Sequence, residues 1–217
     1  MRTITKLVCL ATVVFMASCG GGGATSEKKM ESKGYFGKLV SIKQAFHDED
    51  STIKAEAKTQ SKSVDDLVAA QSMLAKAEES AKAEFKAEAA KMGLPLTIPF
   101  IDSTGNASYV VKDVKITELE WGRATLEATI ELKVDSEKTM GGQNVQFTVP
   151  ALMLNENNQA IKDHANDNWI IFGVSKEMKA GETQKVTGSI VINQANAAMA
   201  KILFKSYDDY KKAKGWN

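Results

Sequence analysis

From Ala124 the chain alternates apolar and polar positions: Ala124, Leu126, Ala128, Ile130, Leu132 and Val134 interleave with Thr125, Glu127, Thr129, Glu131, Lys133 and Asp135. A sustained period of two predicts a half-buried antiparallel strand. A strand over 110–119 precedes it, and Glu120-Trp121-Gly122-Arg123 is the hairpin connection between them. Val145, Phe147, Val149 and Ala151 alternate again into Leu152-Met153-Leu154, and Asn155-Glu156-Asn157-Asn158 carries turn chemistry. Residues 169–174 are apolar on both faces and predict a central strand. Ala180-Gly181-Glu182 turns into a last strand that sets Val186, Gly188, Ile190 and Ile192 on one side. Several strands at hairpin spacing with no intervening helix point to a β-sandwich over 96–193.

Outside that stretch the period is 3.6. Tyr35, Leu39, Ile42 and Phe46 share one helical face, and polar residues 51–62 fit either a loop or an extension of that helix. The next helix is better marked. Ser63 with Asp66 forms a capping-box pair, and Leu67, Ala70, Leu74, Ala77, Ala81, Phe85, Ala89 and Met92 recur at steps of three and four. Gly93 and Pro95 then stop it. This thin, alanine-rich stripe fits packing on the following domain or the preceding helix, an intermolecular coiled coil, or a solvated spacer. Residues 194–214 return to helical spacing through Ala195, Met199, Ile202, Ser206 and Tyr210, which predicts a C-terminal helix packed on the domain.

The N-terminus follows a third pattern. Arg2 and Lys6 precede a run of apolar residues to Met16, and Ala17 and Ser18 are small. The run is about half the roughly 20 residues that span a bilayer as a helix, as expected for an export signal. Met16-Ala17-Ser18-Cys19 resembles the lipobox of bacterial lipoproteins. The resemblance implies cleavage of residues 1–18 and lipidation of Cys19, which anchors the chain in a membrane, since two or three acyl chains hold where one does not. Residues 19–34 then form a lipidated, Gly-rich tether. By the lipoprotein pattern, Gly20 and the late first acid, Glu27, imply the periplasmic face of the outer membrane.

Composition narrows the chemistry. Two of the 28 basic residues precede Cys19, which leaves 26 against 27 acids and gives no basic surplus for nucleic acid. Cys9 and Cys19 are the two cysteines. With one removed and the other lipidated, none remains for a disulfide, a thiolate nucleophile or a zinc site. His47 and His164 stand far apart, outside metal-ligand spacing, and there is no phosphate loop or nucleophile elbow. No cofactor is expected. Asp163 and Asp167, in the polar run 163–168, are candidate calcium ligands, against the simpler reading of solvated turn residues. Trp121, in the hairpin connection, and Trp216 are candidates for stacking on a glycan, Trp121 the better placed, against partial burial.

The Asp102-x-x-Gly105-Asn106 turn, the long alternating strand, the Asn155 turn and the Ala180-Gly181-Glu182 turn together resemble immunoglobulin-like domains of bacterial lipoproteins, over about residues 96–193. The expected architecture is therefore α+β. An antiparallel immunoglobulin-like β-sandwich (96–193) follows a long N-terminal helical region (35–95) and precedes a C-terminal helix (194–217). The expected role is non-enzymatic, a binding or interaction module for an envelope protein or glycan. The rivals are an enzyme acting on envelope glycans or peptidoglycan, and an assembly lipoprotein that docks a partner through its long helix.

Overall fold

The computed structural model describes residues 34–61, 63–105, 109–133, 147–163, 166–174 and 179–216. The export segment, Cys19, the Gly-rich tether, Asn106, Val134, Val145 and His164 lie outside the described residues. The described chain is mixed α+β, with three helices and a large, curled, mostly antiparallel sheet.

Helix α1 (Gly37–Gln60) runs through the polar 51–60 stretch and turns back into α2 (Val64–Ala90). The capping box forms as its residue types dictate: the Asp66 N–H donates to Ser63 Oγ and the Ser63 N–H to Asp66 Oδ2. The connection is so short that the helices must be antiparallel, and Lys38 near the start of α1 pairs with Glu88 near the end of α2 at 3.1 Å. Gly93, at φ +68°, lies just past the end of α2. The apolar stripe of α2 is buried at Ala77, Ala81, Phe85 and Ala89, whereas Val64, Leu67, Val68 and Met73 near its start are exposed.

The strands are β1 (Leu96–Thr97), β2 (Phe100–Ser103), β3 (Tyr109–Glu120), β4 (Arg123–Leu132), β5 (Phe147–Leu154), β6 (Lys162–Asp163), β7 (Asn166–Asp167), β8 (Trp169–Val174), β9 (Thr183–Val191) and β10 (Lys201–Lys205). Eight of them form one sheet in the order β1-β3-β4-β9-β8-β5-β10-β2, and β6 pairs only with β7. Every pairing in the large sheet is antiparallel except that of β10 with β2. The two ends of this order are consecutive pieces of one stretch. β1 pairs with β3, the chain shifts at Ile98 and Pro99, and β2 pairs with β10. The Ile98 N–H still bonds Val114 O, whereas Pro99 O accepts from the Ile202 N–H. Side chains reinforce the crossing. Asp102 accepts from the Thr104 N–H and hydroxyl and from the Val111 N–H, and the Tyr109 hydroxyl donates to Lys205 O at 2.6 Å. Burial, and then the nearby Asp102 carboxylate, push the Tyr109 pKa well up, so the phenol stays a donor.

The alternating positions predicted for β4 face the core: Ala124, Leu126, Ala128, Ile130 and Leu132 are all fully buried. β8 lies between β9 and β5, central as expected; of its described side chains Ile170 and Phe172 are buried and Ile171 is exposed. The C-terminal helix is shorter than expected. Residues 193–199 form successive turns, Lys201–Lys205 is a strand, and only α3 (Tyr207–Ala213) is helical. A short apolar run such as Ile202-Leu203-Phe204 fits both periods. The open hydrogen-bonding sides of β5 and β2 decide it, because a strand there satisfies three backbones at once.

Gly188 is where β8 lies closest over β9. A Cβ there would stand 3.0 Å from Ile170 Cγ2 and 3.2 Å from Ile171 O. Gly188→Val is expected to lower stability by about 1–3 kcal/mol through overpacking, visible as a fall of several degrees in Tm. Gly173→Ala, with open space around its Cβ, should be nearly neutral. A second prediction concerns acid. On β4, Glu131 is held by Lys133 and by Lys112, and these bonds pull its pKa from 4.5 down to about 2. Because the folded value is the lower one, the contribution is complete above pH 4.5 and is lost as pH falls towards 2. Glu131→Gln should therefore flatten the fall of Tm with pH across that window.

Candidate functional site

Two places in the fold gather chemistry, and the sequence pointed to part of each. The first is the β3–β4 turn. Gly122, at φ +89°, allows the two-residue connection, and Trp121 beside it meets the helical hairpin. Its ring stands edge-on to Phe46 (5.9 Å) and Phe85 (5.3 Å), and the Lys43 ammonium lies 5.9 Å from its centroid. Lys43 Nζ donates to Ile192 O at 2.7 Å, and its partial burial lowers its pKa. Trp121 is thus half-buried packing between α1, α2 and the sheet, in contact with the core.

The second is the end of the β8–β9 junction. Among the described residues these strands share a single ladder pair, Gly173 with Thr187. Towards Trp169 and Val191 they no longer pair, and a cavity of about 210 Å³ lies there. Met153, Ile170 and Ile190 supply its apolar lining; Asp163, Asn168, Ser189, Asn193 and Asn196 supply the polar part. Asn196 is almost fully buried and fully used. Its Nδ2 donates to Val191 O, its Oδ1 accepts from Asn168 Nδ2 (both 2.7 Å), and its backbone N–H donates to Asn193 Oδ1 at 3.0 Å. Buried amides satisfied at both ends fix a loop, so Asn196 holds the turn segment against the end of β9. Asn168 and Asn193 each spend one end of their carboxamides on this arrangement. The Asn168 oxygen, the Asn193 amide hydrogens and the Ser189 hydroxyl have no partner among the described residues.

Trp169 lines the cavity and continues it outward. Its ring meets Tyr210 edge-on at 5.0 Å, and Tyr210 meets Trp216 at 5.7 Å and Tyr207 at 6.1 Å. Ser206 caps α3 by accepting from the Asp209 N–H, which presents these rings beside β8. Tyr207 and Trp216 are 45% and 54% exposed, unusual for large rings at the edge of a cavity.

Of the predicted metal residues, Asp163 lies in the cavity wall, while Asp167 lies 3.9 Å from Lys162 across the β6–β7 pair. They belong to opposite strands of that pair. Among the described residues no group of three or more His, Cys, Asp or Glu side chains is placed to hold a metal ion. Apart from Trp216, named as a stacking candidate, the amide and ring residues were missed as a site. Asn168 stood in the polar run already singled out, but Trp169 read as a central strand and Tyr210 as a helical core stripe. Asn193 and Asn196 carried no signal. Among the described residues no helix is long and apolar enough to cross a membrane. The chain matches no protein-family model, no curated protein and no solved structure.

Asn196→Ala would leave Val191 O and the Asn168 amide unpaired. It is expected to cost about 1–3 kcal/mol, measured by urea unfolding.

Proposed function

We propose that this chain is a membrane-anchored lipoprotein of the bacterial envelope, held through lipid on Cys19, whose β domain is a non-enzymatic binding module. The observation that carries the reading is the cavity lined by Trp169, with amide and hydroxyl groups left to bond a ligand and with Tyr210 leading from Trp169 to the exposed rings of Tyr207 and Trp216. Apart from Asp163, the polar lining is carboxamide and hydroxyl, groups that hold ligands without exchanging protons at neutral pH, which favours binding over turnover. The Met16-Ala17-Ser18-Cys19 pattern supports the anchor, and Gly20 with the late Glu27 supports the periplasmic face of the outer membrane.

The finer reading of the β domain is an immunoglobulin-like sandwich. A first strand that pairs antiparallel with one neighbour and then parallel with the last strand supports it, as does the single ladder pair that, among the described residues, joins β9 to β8. A second reading, an assembly lipoprotein that docks a partner through α2, is favoured by the exposure of Val64, Leu67, Val68 and Met73 on that helix.

A membrane-impermeant biotin reagent tests the location. The protein should be protected on intact cells and labelled after lysis. Labelling of intact cells would place the domain on the outer surface and overturn the periplasmic assignment.

A further inference from the structure

We infer that the cavity and the ring cluster beside it form one binding site for a neutral oligosaccharide; this rests on the reading of the β domain as a binding module. The cavity, at about 210 Å³, is smaller than the roughly 300–1,000 Å³ of sites that enclose drug-sized ligands. It suits one terminal sugar ring and not a chain. Such a ring carries hydroxyls around its rim and C–H groups on its faces. The wall offers a matching set: an amide oxygen on Asn168, amide hydrogens on Asn193 and the Ser189 hydroxyl. Amides and hydroxyls bond sugar hydroxyls in either sense, because each side both donates and accepts. The apolar floor, Met153 with Ile170 and Ile190, is nearly fully buried, and the half-buried Trp169 ring is the apolar surface left for C–H groups. Asp163 is the one ionisable group of the cavity lining among the described residues, so a sugar ring inside the cavity meets no cation; the ammonium groups of Lys211 and Lys214 stand outside it, over the rings.

Beyond the cavity the rings continue in contact from Trp169 through Tyr210 to Trp216. A sugar chain whose end occupies the cavity leaves along this line. Exposed rings there add contact area at small entropic cost, because each has only two side-chain torsions. The cluster is also braced from below. Lys214 lies over Tyr210 and Lys211 over Tyr207, and Lys211 is in turn paired with Asp208 at 2.9 Å. These cations hold the rings in place and leave Trp216 to meet the ligand.

The full-length protein in detergent is titrated with maltotriose, chitotriose and mannotriose while tryptophan emission is followed; Trp169 and Trp216 are two of its three tryptophans. One trisaccharide should shift the emission saturably, with a Kd of about 1 mM or tighter. Trp216→Ala and Tyr207→Ala, both at exposed positions, should each weaken it about tenfold, and Trp121→Phe should leave the affinity unchanged. No response to any of the three up to about 10 mM overturns the saccharide class, and cross-linking to an envelope component would then still support the binding module. Binding that survives both ring substitutions overturns the site. Release of free sugar overturns the non-enzymatic reading while keeping the site.

Discussion

The whole sheet depends on the stretch Leu96–Ser103 having two partners. Its first residues complete the edge of β3 and its last complete the edge of β10, with Pro99 at the changeover, where its missing N–H costs nothing and its carbonyl still accepts from Ile202. Edge strands otherwise expose unpaired backbone groups. Here one segment covers both ends of an eight-strand order, and the curl that results lets alternate residues of β4, β5, β9 and β10 meet in a common core. Phe172 and Phe204, both fully buried with centroids 5.5 Å apart, touch across it. The Asp102 carboxylate ties β2 to β3, and Tyr109 returns a bond from β3 to β10. The crossing is therefore held by side chains as well as by backbone.

The helical hairpin is attached where the sheet offers a turn and not a face. Trp121 supplies an apolar ring at the β3–β4 connection, and the aromatic residues of α1 and α2 close on it from two sides. Lys43 passes beside the ring to a carbonyl, so a partly desolvated ammonium keeps a strong acceptor. The alanine stripe of α2 suits this arrangement, since small side chains let the two helices approach while Phe85 reaches down to the sheet. Where the stripe carries larger residues, at Leu67 and its neighbours, α1 opposite is polar and nothing covers them among the described residues.

Much of this was legible because it is local. Strict alternation marked β4 and β9, the Ser63–Asp66 pair marked the start of α2, and Gly93 marked its end. Those signals arise within a few residues and survive any tertiary context. β10 was not legible, because Ile202 and Phe204 satisfy a helical stripe as well as a strand, and only the two neighbours that flank it decide between them. The site was less visible still. Trp169, Tyr210 and Trp216 are scattered in sequence, and what joins them is the placement of α3 beside β8. The metal reading of Asp163 and Asp167 followed from counting oxygens in one loop. The fold puts these residues on facing strands and sets Asp163 in the cavity wall.

Gly34 has a consequence of a mechanical kind. The chain enters the described fold there with no room for a side chain, because a Cβ would lie 2.3 Å from the carbonyl carbon of Ala198, and the next residue, Tyr35, donates its N–H to Met199 O. A pull on the chain ahead of Gly34 is thus delivered first to the turn segment 193–199. That same segment carries Asn193 and Asn196 and frames one side of the cavity. Load arriving through Gly34 therefore falls on the same short piece of backbone that frames the cavity, so the shape of the cavity and tension on the chain are not independent.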